Sequence, residues 1–259
     1  MSGQSTKRGT LAIVGIGPGP QAWITPQASD ALAHASDIIG YGPYLARLQP
    51  NPLQVLHASD NRVEMDRASL ALHLAGQGRH VALVSGGDPG IFAMAGALFE
   101  ALAQSPHLQE NIDISVLPGI SAMLAAAARL GAPLGHDFCV LSLSDNLKPW
   151  ALIERRLTAA AEGDFAIVLY NPASKARPQS IFDAFALMRK IKSPATPVAF
   201  AKAIGRSNES IVRTTLAQAD PGCVDMSTLV LIGSSQSRWI GGPNGADWLL
   251  TPRSYGAVT

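Results

Sequence analysis

The sequence predicts an α/β fold built from two lobes, and three observations support this. Short apolar runs alternate with segments in which apolar residues return at helical spacing, a pattern typical of strands and helices in turn. Several of the apolar runs end in glycine or proline, so that a predicted strand leads into a tight loop. Late in the chain the predicted strands follow one another with a more antiparallel rhythm.

The first predicted lobe, residues 10–117, alternates strands and helices. Pro26 suits the first turn of its first helix, and Gly76 and Gly78 mark the end of its second. The predicted order is strand 11–15, helix 25–35, strand 55–58, helix 64–77, strand 81–84, helix 92–104 and strand 112–117. This alternation indicates a largely parallel sheet.

The second predicted lobe, residues 118–240, begins after the Pro118-Gly119 pair. Its predicted order is helix 121–130, strand 138–143, helix 149–162, strand 165–170, helix 178–192 and strands 198–202, 210–214 and 228–232. Residues 241–259 are expected to form a tail, and the chain beyond Trp239 is expected to be loosely held.

Charge and cysteine content exclude several classes of protein. Only 15% of the residues are charged, with 20 Lys and Arg against 19 Asp and Glu, so no broad basic face for nucleic acid is expected. No apolar stretch reaches the roughly 20 residues of a membrane span, and no secretion signal is recognisable. Cys139 and Cys223 lie far apart and no metal-ligand spacing occurs, so we expect no metal site and a cytoplasmic location.

Residues 15–19 form a Gly-Ile-Gly-Pro-Gly loop at the end of the first predicted strand. A dinucleotide-binding fingerprint requires a third glycine where Pro20 stands, and Pro18 lacks a backbone donor that a pyrophosphate would use. A nicotinamide-dependent oxidoreductase is therefore disfavoured, although it stays as the alternative from a different class. By itself the loop is best interpreted as a tight turn.

Three further loops follow predicted strands and leave two interpretations open. Consecutive glycines in residues 85–90 let a ligand approach the backbone, where Asp88 either binds that ligand or builds a local turn. Residues 170–178 combine polar and basic groups that either reach an acidic substrate or form a solvated loop. Ser121 either faces a cleft or caps a helix. His136 alone is interpreted as a surface or core histidine.

Together these loops resemble the tetrapyrrole methylase family, from about Leu11 to Ser234. The resemblance is carried by residues 15–19 with Ile24-Thr25, residues 35–41, residues 86–89 and residues 117–122. The second half is most similar to members that methylate carbon 17 of a corrin precursor, through residues 143–150, 153–157 and 169–175. Ala173 stands where these members usually have arginine, so Arg177 or Arg206 is the candidate to supply that charge.

The resemblance implies an enzyme that uses S-adenosyl-L-methionine, held in a cleft between the two lobes. Carried over position by position, the implied cofactor-binding residues are Pro18, Gly87, Asp88, Pro89, Phe92, Ser121, Ala122 and Asn171. The implied reaction is C17-methylation of the tetrapyrrole precorrin-3B with ring contraction, in cobalamin biosynthesis. The alternatives are the cobalt-containing substrate of the anaerobic route and another precorrin methyltransferase. A homodimer is expected.

That reaction requires two sets of polar residues, one for acid–base chemistry and one for binding the substrate. Methyl transfer depends mainly on aligning donor and acceptor, whereas ring contraction needs acid–base assistance. The unranked catalytic candidates are Asp145, Lys148, Tyr170 and His136. The carboxylates of a corrin precursor require cationic partners, for which Arg has the best geometry. The substrate-binding candidates are Lys175, Arg177 and Arg206, with Arg47 and Lys148 near them.

Overall fold

Helices and strands alternate through much of the chain, which confirms the predicted α/β class. The computed structural model describes residues 8–255 except 62, 109, 175, 243, 244 and 246. The chain divides into two units, Met1–Ala122 and Met123–Thr259. Within the described part of the chain, no helix combines the length and the apolar character needed to cross a membrane.

The first unit contains a five-stranded sheet in the order β3-β2-β4-β1-β5, and all its pairings are parallel. Its strands are β1 (Gly9–Gly15), β2 (Asp37–Tyr41), β3 (Val55–Ser59), β4 (His80–Ser85) and β5 (Ile112–Leu117). Its helices are α1 (Pro26–His34), α2 (Gly42–Leu45), α3 (Glu64–Gly76) and α4 (Met94–Ala103). As expected for parallel sheets, helices cover both faces.

The two faces of this sheet have separate apolar cores. On one face, Leu72 of α3 and Leu98 of α4 belong to the same buried cluster as Leu83 of β4. On the other face, Ala28 of α1 packs in a cluster with Val84 of β4. The connections after β1 and after β4 therefore lead to opposite faces of the sheet.

The sequence analysis did not predict β2, which begins with a fully buried carboxylate. Asp37 accepts a hydrogen bond from the Ser36 hydroxyl at 2.7 Å and pairs with Arg79 Nε at 2.6 Å and His57 Nε2 at 2.8 Å. Two of these partners lie far along the chain, so a pattern of apolar residues gives no sign that a charge can be buried here.

The second unit contains a mixed five-stranded sheet in the order β10-β9-β11-β8-β7. Its strands are β7 (Phe138–Ser142), β8 (Ala166–Tyr170), β9 (Pro197–Lys202), β10 (Ser210–Thr215) and β11 (Thr228–Ile232). The β7–β8 pair is parallel, and β11 is antiparallel to both β8 and β9. The helices are α5 (Ala122–Leu130), α6 (Trp150–Glu162) and α7 (Ser180–Ile191). Leu157 of α6 and Phe185 of α7 share the core with Leu169 of β8.

The expectation that the chain beyond Trp239 is loosely held is wrong for residues 247–251. A second, three-stranded sheet joins β12 (Arg238–Ile240), β13 (Trp248–Leu250) and the short β6 (Gly131–Ala132). Leu249 is 1% exposed, and the Thr251 hydroxyl donates to the carbonyl of Pro133 at 2.7 Å. Burial of these two residues fixes the segment to the second unit.

Because Leu249 is buried, we predict that Leu249→Ala lowers the free energy of unfolding by about 3 kcal/mol. Ile240→Ala is the matched control, since this residue belongs to the same small sheet but is 39% exposed. The control is expected to cost less than about 1 kcal/mol. Urea denaturation followed by circular dichroism measures both, and equal losses would show that the segment is not specifically packed.

Candidate functional site

Three of the loops singled out in the sequence lie side by side at one edge of the first sheet. In the parallel register, Gly15 of β1 pairs with Ser85 of β4, and Val14 pairs with Leu117 of β5. The carboxyl ends of these strands therefore meet. Since the connections from β1 and β4 diverge to opposite faces, this edge has the geometry at which α/β sheets bind ligands.

Close backbone packing joins the first two of these loops. The amide of Ile16 donates to the Ser85 carbonyl at 3.0 Å, and the amide of Gly17 donates to the Gly87 carbonyl at 3.1 Å. Gly17 has φ +65° and Gly87 has φ +69°, a region that favours glycine. Backbone conformation therefore favours glycine at both positions, although each has room for a Cβ.

The carboxylate of Asp88 connects the loop after β4 to the segment after β5. Its Oδ1 accepts from the amide of Gly90 at 2.8 Å, and its Oδ2 accepts from the amide of Gly119 at 3.1 Å. Asp88 thus builds the local turn that the sequence left as one interpretation, and it also holds a second loop. Each carboxylate oxygen keeps a further lone pair for another donor.

Arg47 supports the first glycine loop. Its Nη2 donates to the carbonyls of Ile16 at 3.2 Å, Gly17 at 3.0 Å and Gly19 at 2.6 Å. The sequence analysis placed Arg47 among possible partners of substrate carboxylates, whereas the structure uses this nitrogen to fix the loop. No local sequence signal predicts the contact, because the loop precedes Arg47 by about thirty residues.

Two predicted cofactor-binding residues have left-handed backbone conformations. Phe92 and Asn171 both have φ 50°, which is rare for residues other than glycine and costs on the order of 1 kcal/mol. Phe92 follows the Asp88 turn, and its side chain is 53% exposed. Its conformation also explains why α4 begins at Met94 rather than at the predicted residue 92.

The other predicted cofactor-binding residues of the first unit lie near the same edge. Pro18 is half-buried in the first loop, and Pro89 is buried in the Asp88 turn. Ser121 is buried immediately before α5, and Ala122 is the first residue of that helix. The structure therefore brings together the strand-end segments that carry these residues.

In the second unit, the loops after β7 and β8 also lie together. Ser142 pairs with Tyr170 in the parallel register, and the Asn171 side-chain amide donates to the Ser142 hydroxyl at 3.0 Å. Because β9 runs in the same direction as β8, the turn at residues 203–209 lies at this edge as well. Arg206 is exposed in that turn, which Glu209 closes by accepting from the Gly205 amide at 2.7 Å.

Tyr170, an acid–base candidate, contacts the start of α5. Its hydroxyl oxygen accepts a hydrogen bond from the amide of Met123 at 3.0 Å. Amides in the first turn of a helix have no partner within the helix, so the tyrosine satisfies one of them. This contact gives Tyr170 a structural role that its sequence position did not indicate.

Asp145 and Lys148 lie in the loop after β7, next to Arg177. Arg177 Nη1 donates to the Leu143 carbonyl at 3.3 Å, and Arg177 Nε lies 3.4 Å from Asp145 Oδ1. The pKa of Lys148 is lowered, first by burial and then by the positive charges of Arg156 and Arg177, while Asp145 opposes the shift. Cationic groups thus concentrate at this edge.

His136 does not join the other catalytic candidates. It precedes β7, whereas Asp145 and Lys148 follow it, so the strand separates them to opposite edges of the sheet. The His136 Nδ1 accepts from the Asp137 amide at 2.8 Å, and its ring lies 4.5 Å from the Tyr255 ring. Lys175, predicted to bind substrate, lies outside the described residues.

Comparison with known proteins identifies the relatives of this chain. A family model described as Tetrapyrrole (Corrin/Porphyrin) Methylases matches residues 10–220. A precorrin-3B C(17)-methyltransferase from Sinorhizobium sp is 49% identical over 251 residues, which cover 97% of this chain and 99% of the relative. A probable cobalt-factor III C(17)-methyltransferase from Salmonella typhimurium is 41% identical over 247 residues, 95% of this chain and 99% of the relative.

A solved structure is similar over almost the same length. The crystal structure of the methyltransferase CobJ superposes with a TM-score of 0.90 at 48% identity, covering 94% of this chain and all of the other. This similarity supports the arrangement of strands and strand-end loops described above.

The Tyr170 contact generates a prediction about α5. Tyr170→Phe removes the acceptor of the Met123 amide, so that amide should exchange with solvent at least fivefold faster, equivalent to about 1 kcal/mol. Hydrogen exchange measured by NMR tests this. The amides of residues 127–130 are the internal control, and unchanged exchange at Met123 would contradict the role given to the hydroxyl.

Proposed function

Since this chain belongs to the tetrapyrrole (corrin/porphyrin) methylase family, we propose that it transfers a methyl group from S-adenosyl-L-methionine to carbon 17 of precorrin-3B. Contraction of the ring in cobalamin biosynthesis is part of the proposal. The observation that carries it is the meeting of three glycine-containing loops at one sheet edge, where Asp88 connects two of them and a Gly17–Gly87 backbone bridge joins the third. The family assignment replaces the oxidoreductase alternative.

The residues at this edge fit a cofactor that is recognised largely through the backbone. A Cβ added at Gly119 would collide with the Gly87 carbonyl, and one at Gly15 would lie 2.8 Å from the same oxygen. At these glycines the backbones of the loops are in direct contact, with no side chain between them. We assign the cofactor to Pro18, Gly87, Asp88, Pro89, Phe92, Ser121 and Ala122, with Asn171 from the second unit.

When bound, the cofactor would supply a methyl group attached to a positively charged sulfur. A nucleophilic ring carbon would form a bond to that methyl carbon as the bond to sulfur breaks, which leaves a neutral thioether. The chain's own contribution to that step is to hold its loops in one position, because alignment accounts for much of such a rate enhancement. Asp88 and Arg47 perform this function through hydrogen bonds to backbone groups of the loops. No proton-transfer residue is needed for the displacement.

Ring contraction requires acid–base groups, and Asp145, Lys148 and Tyr170 remain the candidates. All three lie at the carboxyl edge of β7 and β8, whereas His136 lies at the other edge and is not included. Burial and then the neighbouring charges of Arg156 and Arg177 lower the pKa of Lys148. We place the tetrapyrrole substrate near Arg177 and Arg206, with Lys175 included by resemblance.

The alternative substrate is the cobalt-containing precursor named in the Salmonella typhimurium relative. The identity to that relative is 41%, against 49% to the precorrin-3B enzyme, so the metal-free substrate is preferred. A cytoplasmic homodimer completes the proposal and rests on the family resemblance.

Incubation of the protein with precorrin-3B and S-adenosylmethionine labelled in its methyl group tests the proposed reaction. We expect one labelled methyl group in the pigment by mass spectrometry and an absorption spectrum that reports ring contraction. A parallel incubation with cobalt-factor III distinguishes the alternative. Absence of label from both pigments would contradict the proposed function.

The loop geometry also generates a prediction for cofactor binding. Asp88→Ala leaves the amides of Gly90 and Gly119 without their acceptor, so the affinity for S-adenosylmethionine should fall at least tenfold, about 1.4 kcal/mol. Asp88→Asn keeps one acceptor oxygen and should have an intermediate effect. Titration calorimetry measures both variants.

Asp113→Ala is the matched control, because Asp113 lies early in β5 and its carboxylate pairs with the exposed Arg8. Its affinity should equal that of the unmodified protein. An unchanged affinity in Asp88→Ala, with the fold intact by circular dichroism, would remove Asp88 from the cofactor site.

A further inference from the structure

Arg177 holds a fixed position at the carboxyl edge of β7 and β8. Its side chain is only 12% exposed, and Nη1 donates to the Leu143 carbonyl at 3.3 Å. Its Nε lies 3.4 Å from Asp145 Oδ1 but forms no hydrogen bond with it. A buried guanidinium held by a carbonyl and a neighbouring carboxylate thus keeps a donor that an additional oxygen can use.

Positive charge around Arg177 exceeds the negative charge that faces it. Lys148 is half-buried in the preceding loop, and its pKa is lowered first by that burial and then by the charges of Arg156 and Arg177. Within the described part of the chain, the one carboxylate that acts on Lys148 in the opposite direction is Asp145, which is 40% exposed. Arg177 and Lys148 thus have the partly exposed Asp145 as their neighbouring carboxylate, and an additional anion bound at this edge would be favourable.

A buried hydroxyl adds a second, independent observation. The Oγ of Ser174 is buried and has no hydrogen-bond partner among the described residues. The backbone of Ser174 exchanges two hydrogen bonds with that of Arg177, at 2.9 and 3.3 Å, so one turn carries both side chains. A buried hydroxyl without a partner is unfavourable, and a ligand oxygen would satisfy it.

We propose that Lys148, Arg156, Arg177 and Ser174 form a binding site for one carboxylate of the tetrapyrrole substrate. This inference rests on the proposed function, because acetate and propionate side chains are the anions that a corrin precursor presents. The guanidinium supplies directed donors and the ammonium supplies a point charge, a combination suited to a carboxylate. Lys148 is then a substrate-binding residue, and Asp145 orients Arg177.

The test uses uroporphyrin III as a fluorescent polycarboxylate probe, so that binding is measured without methyl transfer. Lys148→Met and Arg156→Gln should each weaken probe binding about fivefold, equivalent to about 1 kcal/mol. Ser174→Ala should weaken binding about twofold. Arg155→Gln is the matched control, because it removes a charge from the adjacent position of α6 and should leave the affinity unchanged.

Steady-state kinetics provide the second readout. Lys148→Met and Arg156→Gln should each raise the KM for precorrin-3B about fivefold, and in Arg156→Gln kcat and the KM for S-adenosylmethionine should stay unchanged. A loss of kcat with an altered pH profile and normal probe binding in Lys148→Met would overturn the inference, since it would make Lys148 an acid–base residue. Variants that bind the probe as tightly as Arg155→Gln would overturn it as well.

The two readouts separate this inference from the proposed function. If the unmodified protein binds the probe through these residues but transfers no methyl group, the reaction is wrong and the carboxylate site stands. If the unmodified protein methylates precorrin-3B but the substitutions at Lys148, Arg156 and Ser174 do not affect probe binding, the site is wrong and the reaction stands. Failure of the unmodified protein to bind the probe would also overturn the site.

Discussion

The carboxylate of Asp88 accepts hydrogen bonds from two backbone amides, one in its own turn at Gly90 and one at Gly119, 31 residues further along the chain. Beside these contacts, Gly15 and Gly119 approach the Gly87 carbonyl more closely than a residue with a Cβ could. Arg47 supports the same assembly through the carbonyls of the first loop. The conformation of this edge therefore depends on two charged side chains, Asp88 and Arg47, and on glycine at positions 15 and 119.

The second unit supplies charge rather than close backbone packing. A net charge of only +1 for the whole chain leaves no broad basic surface, yet it is compatible with a local excess of positive charge around Lys148, whose pKa is lowered by burial and by the charges of Arg156 and Arg177. A substrate with several carboxylates requires such local groups and not a uniformly positive protein. The two units thus contribute different physical properties to the proposed reaction.

Much of the fold and the glycine loops that meet at one edge of the first sheet could be predicted from the sequence, because strand-ending glycines and helical periodicity are local signals. Contacts between residues far apart in the chain could not be predicted in this way. The burial of Asp37 at the start of β2 depends on His57 and Arg79, and the packing of Leu249 depends on a sheet formed with Gly131–Ala132. His136 and Lys148 do not lie together for a related reason. Strand β7 lies between them in the chain and places them at opposite edges of the sheet.

The position of S-adenosylhomocysteine in a crystal structure of this protein tests the central claim most directly. The account predicts that the ligand contacts the backbone of residues 87–89 and the segment at Ser121. A different position would contradict it, such as the pocket of about 330 Å³ beside α3 and α4 that His73 and His107 line. In that case the geometry around Asp88 would serve the fold and not the cofactor.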